Sequence, residues 1–224
     1  MPGLQADGSR PTPSERRRAK TILDRLVVRY PAIRTALDYA SPWELLVVTV
    51  LSAQTTDETV NRVRPILCDR YPRPADLAEA NPEDVEQIVF STGFFRQKTK
   101  SIIALAVAVE EEFGGVVPDT LAELITLPGV GRKTASVLLA EAWDKPAIAV
   151  DTHVSRVASR LGLTSERNPV KIEKDLKSLY PTQRWSGLSM RFIQFGRDTC
   201  IARRPLCESC ELLRICPWPD KPIG

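Results

Sequence analysis

Four of the five cysteines in this chain lie close together near the end of the sequence. They are Cys200, Cys207, Cys210 and Cys216, and they span 17 residues with the spacing C-x6-C-x2-C-x5-C. Five cysteines are few for a secreted disulfide scaffold, and clustered cysteines in a reducing compartment indicate a metal more often than a disulfide. Four thiolates this close together require a group that joins them. We therefore expect this segment to fold around a structural Zn²⁺ ion or an iron–sulfur cluster.

The spacing favours an iron–sulfur cluster but leaves zinc open. Zinc sites usually contain two short cysteine pairs, whereas only Cys207 and Cys210 are paired in this way. Cysteine would fill all four ligand positions, so we predict a structural role for the bound group. Arg203 and Arg204 lie between the first two ligands. If the bound group ties both ends of this loop, the two arginines are held at low entropic cost for contact with phosphates. A solvated basic loop without such a role is the simpler alternative.

Hydrophobic periodicity along the rest of the chain predicts an all-α protein. Apolar residues recur at helical intervals, and alternating stretches between turn signals are scarce. Residues 1–13 are polar with Gly and Pro and are predicted to form a disordered tail. The predicted helices cover residues 14–30, 42–51, 57–69, 75–80, 82–91, 96–112, 119–127, 132–143, 152–161, 169–179 and 184–198.

A second motif is a glycine turn between two of these helices. Gly129 and Gly131 flank Val130, and glycine allows a positive φ and a close approach of the backbone to another surface. The turn exposes amide groups at a helix N-terminus, which suits a phosphate oxygen, and Arg132 and Lys133 follow directly. No strand precedes the turn, so it is not a dinucleotide-binding fingerprint. An ordinary helix connection with a solvated basic pair is the alternative interpretation.

Charge and hydropathy limit the possible partners. Lys and Arg number 31 against 28 Asp and Glu, so the net charge is only +3 and any nucleic-acid surface must be a local patch. The longest apolar run, residues 45–51, is far shorter than the ~18 residues that a membrane span needs. The first residues are polar and lack the pattern of a signal peptide, so we expect none here. We expect an intracellular, cytoplasmic protein that associates with the nucleoid, contacts no membrane and acts as a monomer.

The segment 127–135, LPGVGRKTA, resembles the helix-hairpin-helix of the endonuclease III family of DNA base-excision glycosylases. The cysteine spacing is similar to the one with which that family binds a [4Fe–4S] cluster. The resemblance extends from about residue 41 to residue 216. It implies a six-helix barrel domain with the hairpin over residues 36–145. It also implies an iron–sulfur domain formed by residues 14–35 and 146–224, with a DNA-binding cleft between the two domains.

The resemblance implies that Lys133 is the nucleophile and Asp151 the catalytic acid. A neutral lysine amine can attack C1′ of the sugar, expel the base and remain as a Schiff base that permits β-elimination of the 3′ phosphate. A helix N-terminus and partial burial would favour the neutral amine. Asp151, in the segment Val-Asp-Thr-His, would stabilise the positive charge that develops on the sugar and assist proton transfer. Judged alone, Asp151 is more simply a helix N-cap.

Base excision from a duplex requires the nucleotide to be flipped out and the gap to be filled. The segment Leu-Ser-Ala-Gln54 resembles the family stretch that fills the vacated space, and Thr-Gly-Phe94-Phe resembles the loop that inserts an apolar wedge. His153, the only histidine, would support the active site or act as a core or capping residue. The predicted DNA contacts are Gln54, Phe94, Gly129, Val130, Gly131, Arg132, His153, Arg203 and Arg204.

Two positions depart from the family pattern. Leucine is commoner than phenylalanine at position 94, and histidines with a tryptophan are commoner at the segment Ser189-Met190-Arg191. The first departure bears on how a lesion enters the site. The second lies just before the cysteine segment.

The leading hypothesis is a bifunctional DNA glycosylase and abasic-site lyase that acts on oxidised pyrimidines in double-stranded DNA. The related adenine-mismatch glycosylase lacks the hairpin lysine and usually carries a further C-terminal domain, whereas this sequence has Lys133 and ends eight residues after Cys216. A non-catalytic lesion-binding protein would not need both Lys133 and Asp151. A zinc-binding helical adaptor differs from all of these because the purified protein would not be brown.

Overall fold

The computed structural model describes residues 10–222, and the regular secondary structure of this part of the chain is entirely helical, with no strand. The all-α prediction is therefore confirmed. Three short 3₁₀ turns occur at Phe90–Thr92, Thr182–Arg184 and Leu213–Ile215. The α-helices are α1 (Pro13–Arg29), α2 (Pro42–Leu51), α3 (Asp57–Arg70), α4 (Pro74–Ala78), α5 (Pro82–Val89), α6 (Phe95–Phe113), α7 (Leu121–Leu124), α8 (Arg132–Trp143), α9 (Thr152–Arg160), α10 (Pro169–Leu179) and α11 (Leu188–Asp198).

Helix α1 begins earlier than the sequence predicted. The Thr12 side chain accepts a hydrogen bond from the Glu15 amide at 3.2 Å, and the Glu15 carboxylate accepts one from the Thr12 amide at 2.7 Å. This reciprocal capping box fixes the helix start at Pro13. The predicted disordered tail of residues 1–13 therefore ends too late, because Pro13 is already helical. The first nine residues of the predicted tail lie outside the described part of the chain.

Two other predicted helices differ most from the structure, where each is several residues shorter. The helix expected over 119–127 is confined to α7, because the chain turns toward the glycine hairpin after residue 124. The helix expected over 184–198 begins only at Leu188. A 3₁₀ turn precedes it, and Gly187 takes a φ of 67°, a left-handed conformation that separates the turn from the helix.

Helix α2 is the central helix of its part of the chain, and it begins as the sequence predicted. Ser41 caps it by accepting a hydrogen bond from the Glu44 amide at 3.2 Å. The Glu44 carboxylate accepts from the Ala40 amide at 2.9 Å and pairs with Arg64 at 2.6 Å. Every helical residue after Pro42 except Glu44 is buried, which explains the nearly uniform apolar sequence of this helix.

The chain divides into two compact units. The middle unit comprises residues 35–144 and contains α2 to α8, with α2 packed against α3, α6 and α8. The terminal unit comprises residues 1–34 and 145–224, and within its described part α11 packs against α9 and α1. The apolar core of the terminal unit is formed by α1, α9, α10 and α11, and three of the clustered cysteines pack against it. None of the helices between residues 10 and 222 is long and apolar enough to span a bilayer.

Candidate active site and cysteine cluster

The glycine hairpin connects α7 to α8 in the middle unit. Gly129 has a φ of 76°, so the turn requires glycine there, whereas Gly131 has a φ of −84° that any residue adopts. Val130 is buried, and its amide donates to the Leu127 carbonyl at 3.1 Å. A Cβ added to Gly131 would meet nothing within 4 Å. The turn therefore requires glycine at position 129, whereas Gly131 leaves open space beside the backbone.

Gly131 is the N-cap of α8 and supplies no side-chain hydrogen bond to the first amides of the helix. These amides can bind an outside acceptor, and the helix dipole favours an anion there. Lys133 lies in this first turn and is exposed, so the partial burial predicted for it is wrong. Within residues 10–222 its amine has no hydrogen-bonding or ion-pair partner. The lysine amine is thus accessible beside a possible phosphate site.

Asp151 caps α9 in the terminal unit. Its Oδ1 accepts a hydrogen bond from the Val154 amide at 2.7 Å, and its Oδ2 lies 3.4 Å from His153 Nδ1. The capping role considered from sequence is therefore real. It occupies one carboxylate oxygen and fixes the side chain, which is 23% exposed. The other oxygen faces the imidazole and does not take part in the cap.

His153 packs against α11. A Cβ added to Gly196 would come within 3.3 Å of the His153 side chain, so the glycine makes room for the imidazole. The histidine contacts Asp151 and also fills the space between α9 and α11. Both the supporting and the packing interpretations of this residue are compatible with its position.

The four clustered cysteines line one cavity. Burial raises the pKa of the Cys210 thiol to about 11. Burial, together with the neighbouring Cys200 and Cys216, also raises the pKa of Cys207. No three His, Cys, Asp or Glu side chains in the described part of the chain are grouped closely enough to hold one metal ion. The four thiols thus line a common space within the terminal unit.

Two arginines of α9 hold the start of the cysteine segment in place, and neither was predicted from the sequence as a site residue. Arg156 donates to the carbonyls of Cys200 at 3.1 Å and Gly196 at 2.8 Å. Arg160 donates to the carbonyls of Ile201 and Ala202 at 2.8 Å, and its guanidinium lies 4.0 Å from the centre of the Trp218 ring. The i,i+4 spacing of the arginines on a helix with an apolar face was the available signal. One helix thus carries Asp151 at its start and the anchors of the cysteine segment at its end.

Arg203 and Arg204 are exposed on the segment between the first two cysteines. The Leu206 amide donates to the Thr199 carbonyl at 2.9 Å and closes this segment into a loop. Together with the contacts of Arg160, this hydrogen bond holds both ends of the loop in the protein itself. The two side chains are therefore presented to solvent from a constrained backbone.

Gln54 and Phe94 are exposed and occupy unusual backbone conformations in the middle unit. Their φ angles are 54° and 48°, in the left-handed region, which costs a non-glycine residue about 1–2 kcal/mol. Phe94 is 69% exposed. The loops that carry them meet, because the Thr55 hydroxyl donates to the Thr92 carbonyl at 2.5 Å. The structure thus brings together two segments that the sequence analysis predicted to enter DNA.

The segment Ser189-Met190-Arg191 has a structural explanation. The Ser189 hydroxyl accepts a hydrogen bond from the Ala149 amide at 2.9 Å. Arg191 is buried and donates to the carbonyls of Tyr30 and Pro31, both at 3.1 Å. These bonds join α11 to the segment before α9 and to the end of α1 within the terminal unit.

Comparison with known proteins identifies the class. Residues 47–182 match the family described as HhH-GPD superfamily base excision DNA repair protein. This chain belongs to that superfamily, and the family resemblance seen in the sequence is confirmed.

Individual relatives are similar over nearly the whole chain. Endonuclease III of Synechocystis sp. is 48% identical over 205 residues, which cover 91% of this chain and 94% of that protein. Endonuclease III of Escherichia coli strain K12 is 38% identical over 200 residues, or 89% and 95% of the two chains. The solved structure of a trapped Endonuclease III–DNA covalent intermediate has a TM-score of 0.86 at 40% identity, covering 90% of this chain and 95% of that chain.

Proposed function

We propose that this protein is a DNA N-glycosylase with abasic-site lyase activity, which removes oxidised pyrimidines from duplex DNA in base-excision repair. The observation that carries the proposal is the exposed amine of Lys133, two residues after the last glycine of the hairpin and at the uncapped start of α8. A covalent intermediate with DNA has been trapped in the similar Endonuclease III. An enzyme of this kind works where the DNA is, so we also propose that it acts at the nucleoid.

The proposed reaction has two stages. Neutral Lys133 Nζ attacks C1′, the bond between C1′ and the base breaks, and the base leaves with a proton. The base takes this proton from the attacking amine. The C1′–O4′ bond then breaks as O4′ takes a proton from solvent, and the amine remains joined to the opened sugar as a protonated Schiff base, an iminium. The iminium carbon makes the C2′ proton acidic. Loss of that proton expels the 3′ phosphate and cuts the strand by β-elimination.

Asp151 would stabilise the positive charge that develops on the sugar and assist proton transfer. Its capping bond to Val154 holds the carboxylate in one orientation, and Oδ2 is the oxygen left for this task. His153 would support that oxygen from 3.4 Å. The cap and the catalytic role are thus compatible, because they use different oxygens of one side chain.

The hairpin is the proposed phosphate site. The uncapped amides of α8 and the open space at Gly131 suit the close approach of a DNA backbone, with Arg132 beside them. On this proposal the middle unit is the barrel domain that bears the hairpin. The terminal unit is the domain that bears the cysteine cluster.

We propose that Cys200, Cys207, Cys210 and Cys216 hold a [4Fe–4S] cluster. These four thiols line one cavity. A [4Fe–4S] cluster takes four cysteine thiolates, one on each iron. The spacing supports the cluster over zinc, because only Cys207 and Cys210 form the short pair that is typical of zinc sites. Bound there, the cluster would tie the cysteine segment together and hold the loop of Arg203 and Arg204.

The C207S variant is expected to lose the cluster and to lower the Tm by more than ~5 °C, because the bound group links the ends of the segment. The matched control is C68S, which changes a cysteine of α3 in the middle unit. Iron and sulfide content, visible absorbance and thermal unfolding are the measurements. One zinc per chain in the parent protein, or full iron content in C207S, would refute the proposed ligand set.

Arg203 and Arg204 are expected to contact DNA phosphates, because both are exposed on a loop that is held at its ends. The variant R203Q/R204Q should reduce the slope of log Kd against log salt by about 1.8, at about 0.9 per phosphate contact. The control R16Q/R17Q removes the same charge from two exposed residues of α1. Equal slopes for the parent and R203Q/R204Q would exclude this role.

The direct test of the proposed activity uses a duplex with one oxidised thymine, and it measures base release and strand incision separately. We expect both products from the damaged duplex and neither from an undamaged one. Release of adenine opposite an oxidised guanine, without incision, would instead indicate the adenine-mismatch activity. Tight binding to the oxidised-thymine duplex and to the duplex with adenine opposite oxidised guanine, without turnover of either, would indicate a lesion-binding protein.

A further inference from the structure

Lys98, in the first turn of α6, is buried in the middle unit. Its exposure is 5%, and it is the only lysine among the buried residues of the described chain. Lysine is almost never buried unless it is paired. The reaction proposed above makes no use of this residue, so its position requires a separate explanation.

The Lys98 ammonium joins two loops. Its Nζ donates to the Thr55 hydroxyl at 2.5 Å and to the Thr92 carbonyl at 2.7 Å. The Thr55 hydroxyl in turn donates to the same Thr92 carbonyl at 2.5 Å. Thr92 is itself held, because its hydroxyl donates to the Val89 carbonyl at 2.7 Å. The three groups of Lys98, Thr55 and Thr92 form a closed set of hydrogen bonds, which we call the Lys98 triangle.

Simple packing does not account for this lysine. No carboxylate of residues 10–222 lies within ion-pair distance of its amine, and burial lowers its pKa. An apolar side chain would fill the same space without the cost of desolvating a charge. A lysine amine, however, carries several donors and can bind two acceptors on different segments at once. The triangle uses this property.

The two loops that meet at the triangle carry the residues in left-handed conformations. Gln54 directly precedes Thr55, and Phe94 follows Thr92 by two positions. The side chains of Gln54 and Phe94 are exposed to solvent and are not packed in the hydrophobic core. Each unusual conformation persists only where neighbouring contacts enforce it. The Lys98 triangle is a contact set that acts on both loops together.

We propose that Lys98 is a positioning residue that fixes Gln54 and Phe94 relative to each other, so that both side chains enter the duplex together when a nucleotide is flipped. The part of this inference that concerns DNA rests on the proposed function. The part that concerns the two loops is independent of it. The two parts are therefore tested separately.

Hydrogen exchange in the absence of DNA tests the loops. In K98M, the amides of Thr55 and Gly93, which bond to the Ser52 and Phe90 carbonyls, should exchange at least tenfold faster than in the parent. The matched control is K100M, which changes an exposed lysine two positions further along α6. Unchanged exchange in either loop would overturn the inference. If K98M does not fold, T55V removes one corner of the triangle, and T55S retains the hydroxyl and should restore parental exchange.

A duplex with 2-aminopurine opposite a tetrahydrofuran abasic analogue tests the entry of both side chains. T55V should give at most a third of the fluorescence rise seen with the parent and T55S. Excision of an oxidised thymine by T55V should fall at least tenfold, whereas incision of a preformed abasic site should stay within threefold of the parent. Equal losses on both substrates would overturn the positioning role. If the parent excises no base from any duplex, the proposed function fails, and the exchange data alone decide the loop contact.

Discussion

The variant K133A is expected to lose strand incision by more than about 1,000-fold, because no other group replaces the attacking amine. Lys133 is exposed and has no partner in residues 10–222, so its removal leaves no buried charge and no broken network. The fold and the Tm should therefore match those of the parent. Single-turnover incision of a damaged duplex is the measurement, with binding to the same duplex measured in parallel.

The variant K133R separates charge from nucleophilicity. Arginine keeps the positive charge beside the proposed phosphate site but stays protonated at any working pH. We expect DNA affinity within threefold of the parent and no incision. K100A serves as the matched control, since it removes an exposed lysine from α6 and should incise normally. Incision by K133A or K133R at the parental rate would eliminate Lys133 as the nucleophile.

The variant D151N is expected to reduce base excision by about 100- to 10,000-fold, because the side chain loses its charge and its ability to transfer a proton. Asparagine caps helices as well as aspartate does, so the bond to the Val154 amide should survive. Stability and DNA affinity should therefore stay close to those of the parent. Excision in single-turnover conditions and the Tm are measured on the same preparations.

D151A tests the cap itself. Loss of the capping oxygen should lower the free energy of unfolding by about 1 kcal/mol, in addition to the loss of excision expected for D151N. If Asp151 served only as a cap, D151N would be fully active and D151A would be impaired in stability alone. That pattern would contradict the catalytic role.

Several helix starts could be predicted from the sequence because capping is local. Ser41 with Pro42, and Asn168 with Pro169, mark the starts of α2 and α10 at the predicted residues. The start of α11 could not be predicted in this way. The helical repeat of apolar residues continues on the N-terminal side of Leu188, so the sequence predicts an earlier start. The left-handed backbone conformation of Gly187 interrupts the helix there.

Candidate site residues could be proposed from the sequence where a short motif contains them. The segment 127–135 contains Lys133, and the cysteine spacing marks the four candidate ligands. The oxygen that Asp151 leaves outside its cap was not predictable, since it depends on the position of His153. The burial of Lys98 and its hydrogen bonds could not be predicted from the sequence, for a stronger reason. Its partner Thr55 lies 43 residues away, and nothing local marks a lysine as buried.

Borohydride trapping shows whether Lys133 forms a Schiff base with DNA, because borohydride reduces that Schiff base to a stable adduct. The parent is incubated with a duplex containing an oxidised thymine in the presence of borohydride, and the adduct is mapped by mass spectrometry. We expect a covalent adduct on Lys133 with the parent and none with K133A. An adduct on another residue, or release of the base with no adduct at all, would contradict this expectation.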